Sequence, residues 1–189
     1  MKMQMSIALL LAALSFTVVA NERETLVGMT DVDHGGFGGP VLKLSSLDGE
    51  LNVIDGAKGA WLIDHGFYFG GSFSGTADSI SDTKYGLGYG GLMIGYIGMP
   101  HRLVHYTLEL SASIGDLVED NSTGNDFSID NDMVQVIEPA FYLSFNMITF
   151  ATVNAGVSYR YVMGSDTPDM GNDKLRGVTV ELNIMFGKF

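Results

Sequence analysis

From residue 177 to residue 189 the chain alternates with period two. Val178, Val180, Leu182, Ile184 and Phe186 fall on one side, and Thr179, Glu181, Asn183, Met185 and Gly187 on the other. That pattern marks a strand with one apolar and one polar face. The same pattern recurs upstream. Residues 37–47 set Pro40, Leu42 and Leu44 against Val41, Lys43 and Ser45. Residues 67–76 set Phe67, Phe69 and Phe73 against Tyr68, Ser72 and Ser74. Residues 102–114 alternate Val104, Tyr106, Leu108, Leu110 and Ala112 with His105, Thr107, Glu109, Ser111 and Ser113. Residues 133–145 oppose Ile137, Pro139, Phe141, Leu143 and Phe145 to Glu138, Ala140, Tyr142 and Ser144. In 149–162, Val153, Val157, Tyr159 and Tyr161 oppose Thr152, Asn154, Ser158 and Arg160. Residues 50–63 and 85–97 complete a set of eight. The second of these is so rich in Gly that its faces cannot be assigned.

The connections carry a second pattern. Asp48-Gly49 is a hairpin signal, and short turns also follow the second, fourth and sixth stretches, the last at Asn146-Met147. The connections after the third, fifth and seventh are long and acidic, with 115–132 the longest. Only the connection after the first is short where a long one is expected. Long loops gathered at one end, short turns at the other, is the signature of a membrane-spanning barrel. The expected fold is all-β: a closed, antiparallel, up-and-down transmembrane barrel of about eight strands.

The segment before it reads as targeting. Lys2 gives a positive start, 7–19 is apolar apart from Ser15 and Thr17, and Val18-Val19-Ala20 is a small-residue cleavage site. Residues 1–20 are therefore expected to be a signal peptide, 21–35 a periplasmic lead-in and 36–189 the barrel. No stretch is long and apolar enough to be a membrane helix, so a membrane location requires a barrel.

The last strand, with its aromatic final residue, resembles the closing strand of small outer-membrane barrels of the OmpA/OmpX type. The Gly-Gly-aromatic strands also resemble uncharacterised barrels of the Bacteroidota type. The resemblance implies a porin-like wall in the outer membrane of a Gram-negative bacterium, with outer-membrane lipid around it. It further implies Phe186 and Phe189 as the signal read by the barrel assembly machinery. Phe189 is out of phase with Phe186, which points to a bulge at Gly187-Lys188.

In such a barrel the apolar faces meet lipid and the polar faces line the interior. Lys43, His105, Glu109, Glu138, Arg160 and Glu181 then form one luminal charge network. Arg160 is expected to bridge Glu138 and Glu181, with Lys43 facing Glu181, since buried charges need partners. A barrel of eight strands is just wide enough for side chains, so no general pore is expected.

Charge and chemistry change this picture little. The net charge of −12 disfavours nucleic acid as a partner. The absence of Cys removes disulfides, thiolate metal sites and Cys nucleophiles. His105 with Glu109, and Ser111 or Ser113 nearby, is the best catalytic constellation, but it matches no enzyme motif. The Gly-rich runs 35–39 and 86–91 open no helix, as a phosphate loop would. No cofactor is expected. Among the loop acids, Asp126, Asp130 and Asp132 are candidates for a divalent cation, and Asp130-Asn131-Asp132 lacks the rest of an EF-hand loop. The sequence thus reads as a monomeric, non-enzymatic barrel with a structural or surface-interaction role. The alternatives are a narrow channel or small-molecule transporter, a lipid-modifying enzyme, and a soluble lipocalin-like binder.

Overall fold

The computed structural model describes residues 33–77, 80, 85–119, 131–165 and 170–189. The expected signal peptide and most of the expected lead-in lie outside the described residues, as do Asp126 and Asp130. Eight strands run in chain order: β1 (His34–Leu47), β2 (Glu50–Ile63), β3 (Phe67–Thr76), β4 (Tyr85–Gly98), β5 (Val104–Glu119), β6 (Asn131–Ile148), β7 (Ala151–Met163) and β8 (Gly177–Lys188). Each pairs antiparallel with its neighbour, and β8 returns to β1, closing the barrel. A single-turn helix, α1 (Asn172–Leu175), precedes β8. Among the described residues, no helix is long and apolar enough to cross a membrane.

Closure leaves no sheet edge, so every strand can satisfy its backbone groups within the wall. The seam is in register: Leu42 pairs with Leu182, Lys43 with Glu181 and Leu44 with Val180. Asp48 and Gly49 both take positive φ (50° and 83°), as a two-residue type I′ hairpin turn requires. The barrel has a near end, where β1 starts and β8 finishes, and a far end, reached by the β1–β2 hairpin and the long connections.

Alternation sorts the side chains. Leu108, Leu110, Phe141, Leu143, Val180 and Leu182 are exposed on the outer wall. Lys43, Lys58, His105, Glu138, Arg160 and Glu181 are buried inside. Two apolar layers close the lumen. At the far end Leu47, Ile54, Leu87, Leu117, Val134 and Val162 pack together with Ile80, Met170 and Leu175, which come from the connections. At the near end Leu62, Tyr68, Met93 and Ile97 pack with Phe37, Ala60 and Phe189.

Several elements differ from the sequence reading. β1 begins at His34, which pairs with Ile63, so the barrel takes in the end of the expected lead-in. β5 and β6 run into the expected loop 115–132, pairing as far as Val118 and Asn131. The reason is that Leu117 and Val134 still alternate inward and bury in the far-end layer, although acidic neighbours mask the pattern. β6 does not turn at Asn146-Met147. It continues through an irregularity between Asn146 and Ile148, because the Asn146 amide donates to the Pro100 and Arg102 carbonyls and ties two near-end turns together. β8 carries no register break at Gly187-Lys188: Phe37 pairs with Gly187 and Gly36 with Lys188 in the same frame. Regular alternation takes Phe189 inside, where it stacks on Phe37 with centroids 5.6 Å apart. The faces of β4 are now fixed, with Leu87, Tyr89, Met93 and Ile97 inward and Leu92, Ile94 and Tyr96 outward.

Candidate functional site

Between the two apolar layers lies a belt of buried ions. Inward positions on β1, β5, β6 and β8 supply Lys43, Glu109, Glu138 and Glu181, and β2 supplies Lys58. Lys43 Nζ lies 2.6 Å from Glu138 Oε2 and 3.6 Å from Glu181 Oε1. Lys58 Nζ lies 2.9 Å from both oxygens of Glu109. Three tyrosines stitch the pairs together. Tyr68 donates to Glu109 Oε2 at 2.6 Å. Tyr142 donates to Glu181 Oε2 at 2.7 Å, with Glu109 Oε1 3.3 Å away. The Tyr89 hydroxyl is 3.3 Å from Glu138 Oε2. Lys58 Nζ also stands 4.4 Å from the centroid of the Tyr142 ring, within cation–π range.

The Gly positions make room for these rings. A Cβ on Gly95 would sit 2.1 Å from the Tyr68 ring, so the phenol reaches Glu109 only because β4 has no side chain there. Free space in the lumen is small. About 20 Å³ remains beside His105, Thr107 and Asn154, and about 10 Å³ beside Lys43, Glu138 and Glu181. The larger of the two is room for one water molecule. A concavity of about 550 Å³ lies on the outer wall between Phe67, Phe69, Ile94, Tyr96, Leu108 and Leu110, and Tyr68 and Glu109 of the ion belt also line it.

The structure brings Lys43, Glu109, Glu138 and Glu181 together and leaves two expected members apart. Arg160 does not bridge Glu138 and Glu181. Its Nε donates to the Leu175 carbonyl at 2.8 Å and its Nη2 to Ser45 Oγ at 2.9 Å. Register explains the correction: Glu181 is level with Gly156, four residues nearer the near end of β7, whereas Arg160 is level with Gly177. His105 donates from Nδ1 to the Arg102 carbonyl (3.3 Å) and lines the near-end chamber. Ser111 Oγ is directed to the Glu138 carbonyl at 3.5 Å, so this hydroxyl is not set against His105. Lys58 and the three tyrosines were not assigned from sequence. Tyr68 and Tyr142 stood on polar faces and were legible there. Lys58 and Tyr89 lay in strands whose alternation Gly residues interrupt.

Of the cation candidates, Asp132 is described, and its Oδ2 accepts from Ser165 Oγ at 3.3 Å. Among the described residues, no group of three His, Cys, Asp or Glu is arranged to hold a metal ion. Acids break the outer pattern at two described positions: Asp55 on β2 faces outward between Val53 and Ala57, level with Leu42 and Gly75, and Asp116 on β5 faces outward between Ile114 and Val118 toward the far end. At the near-end rim Lys188 Nζ hydrogen-bonds Asp33, and this bond, ahead of the other causes, holds the Asp33 carboxyl below its ordinary value.

No protein-family model matches the sequence, and no curated protein matches it. Solved structures do. Neisserial surface protein A (NspA) superposes with a TM-score of 0.60 at 14% identity, over 84% of this chain and 99% of that one. The N-terminal β-barrel domain of Pseudomonas aeruginosa OprF gives 0.59 at 10% identity, over 82% and 96%. Ail, the attachment invasion locus protein of Yersinia pestis, gives 0.50 at 15%, over 82% and 97%. At these identities the likeness is one of fold. With its closed eight-stranded wall, outward apolar side chains and charged, filled interior, the chain has the architecture of the small outer-membrane β-barrels.

Proposed function

We propose that the protein is an outer-membrane β-barrel of a Gram-negative bacterium with a structural or surface-interaction role and no general pore. The observation that carries this reading is the sealed lumen: ion pairs at mid-height, closed above and below by apolar layers. A charged interior wrapped in exposed Leu, Val and Phe is costly in water and suited to lipid. The aromatic positions support the same placement. Trp61, Phe67, Phe145 and Phe186 sit toward the near end and Tyr159 and Tyr161 toward the far end, as interfacial girdles do. The near end is then periplasmic and the far end extracellular. The acidic connections at the far end are the surface offered to partners, and the 1–20 segment is the export signal. The names of two similar structures, a surface protein and an attachment protein, fit such a role. Phe186, on the lipid side, is the aromatic that assembly factors would read; Phe189 is committed to the lumen.

The test has two parts. Membrane fractionation with heat-modifiable gel mobility should place a folded barrel in the outer membrane. Purified protein in planar bilayers should then show no stable unitary conductance. Sustained ion current would transfer the reading to a narrow channel, and a soluble fraction would favour a lipocalin-like binder.

A further inference from the structure

Among the described residues, Arg160 is an ion of the lumen bonded to neutral groups. It is wholly buried, and among the described residues no carboxylate lies within ion-pair distance of it. Its Nε and Nη2 meet a carbonyl and a hydroxyl, and its Nη1 is buried without a hydrogen-bond partner among the described residues. Buried guanidinium groups ordinarily face an anion that answers the planar fork. Arg160 points into the far-end layer, whose walls are Leu47, Ile54, Leu87, Leu117, Val134 and Val162. That is a greasy chamber with a cation at its floor.

The chamber is filled by Ile80, Met170 and Leu175, all fully buried and all donated by connections rather than strands. The segment 170–176 is held over the mouth by bonds to the barrel: the Asp48 amide donates to the Lys174 carbonyl at 2.9 Å, Arg176 Nε to the Val162 carbonyl at 3.0 Å and Ser165 Oγ to the Met170 carbonyl at 2.7 Å. The exposed Lys174–Asp48 pair at 3.2 Å adds little, so these bonds and the burial of Met170 and Leu175 are what a ligand has to outcompete. Leu175 presents both an apolar side chain to the walls and a carbonyl oxygen to Arg160, the two features of an amphipathic acid.

We propose that this chamber is a binding site for a small organic anion with an apolar body, such as a short alkyl carboxylate. The ligand seats its carboxylate on Arg160 in place of the Leu175 carbonyl, and its chain takes the space of Leu175 and Met170. Segment 170–176 then acts as a built-in competitor, so apparent affinity is reduced by the fraction of molecules in which it lies closed.

The experiment measures the thermal midpoint of the folded, full-length barrel by gel mobility, against rising hexanoate, hexanol and hexylamine. Three proteins are compared: the native chain, Leu175→Ala and Arg160→Met. Hexanoate should raise the midpoint of the native barrel. It should do so in Leu175→Ala at a concentration about tenfold lower, because the competitor is weakened. It should do nothing for Arg160→Met. Hexanol and hexylamine should be without effect. If Arg160→Met does not fold, the contrast of hexanoate with hexanol in Leu175→Ala decides. The proposal is overturned if hexanoate shifts neither the native barrel nor Leu175→Ala, if hexanol matches it, or if folded Arg160→Met responds like the native chain.

Discussion

Replacing Lys43 with Met removes the cation shared by two buried carboxylates. The ammonium stands 2.6 Å from Glu138 and 3.6 Å from Glu181. At an effective dielectric of about 20, those attractions come to about 6 and about 5 kcal/mol. Burial takes back several kcal/mol per ion, so the pair itself stabilises the barrel only modestly. Truncating one side is another matter. Glu138 would keep only Tyr89 at 3.3 Å and Ser158 at 3.4 Å, and Glu181 only its phenol and weaker contacts. An uncompensated buried charge costs about 3–5 kcal/mol. The assay is urea unfolding from phosphatidylcholine vesicles, followed by gel mobility and by the fluorescence of the single Trp. Lys43→Met should lower the unfolding free energy by that amount. Lys43→Met combined with Glu138→Leu should recover much of it, because the orphaned charge is gone. A single variant within about 1 kcal/mol of the native chain, with no recovery in the double, would mean that each ion is separately hydrated, and the network reasoning would fail.

Other expectations follow from single positions. Asp55→Leu should stabilise the barrel by about 1 kcal/mol, since a carboxylate facing lipid away from the midplane carries a cost of that order; a loss of stability in the same vesicle assay would show that Asp55 has a partner. Gly95→Ala should cost about 1–3 kcal/mol by pushing the Tyr68 ring off Glu109, and the loss should shrink in a Tyr68→Leu background. The Asp33–Lys188 contact has a pH signature. Because the folded carboxyl is lowered, its contribution is complete above the ordinary carboxylate pKa of about 4 and fades as pH falls through the folded value. Lys188→Ala should therefore narrow the stability gap between pH 7 and pH 3, and an unchanged gap would remove Asp33 from the account.

How much of this was legible depends on what each strand carries on its two faces. β5 and β8 alternate so strictly that their inner residues, Glu109 and Glu181 among them, were assignable from sequence. β2 and β4 were not, because Gly56, Gly59, Gly88, Gly90 and Gly91 erase the contrast between faces, and Lys58 and Tyr89 were lost with it. Alternation also gives a side without giving a height. Arg160 and Glu181 share the interior, yet the stagger of neighbouring strands sets them at different levels, so the expected bridge does not form. The far-end layer was invisible for a third reason: Ile80, Met170 and Leu175 are single apolar residues in polar connections, and only the folded loops bring them over the mouth.

The central claim is that oily positions face lipid while the acids and bases are sealed inside. The chain has no Cys, so a thiol introduced at one position can carry the only spin label in the molecule. Labels at Leu108→Cys, Phe141→Cys and Leu182→Cys, in barrels refolded into vesicles, should collide freely with oxygen dissolved in the bilayer and be shielded from a water-soluble nickel chelate. Labels at Ser111→Cys and Ser158→Cys should be shielded from both. Outward labels relaxed by the chelate, or inward labels relaxed by oxygen as strongly as the outward ones, would contradict the account.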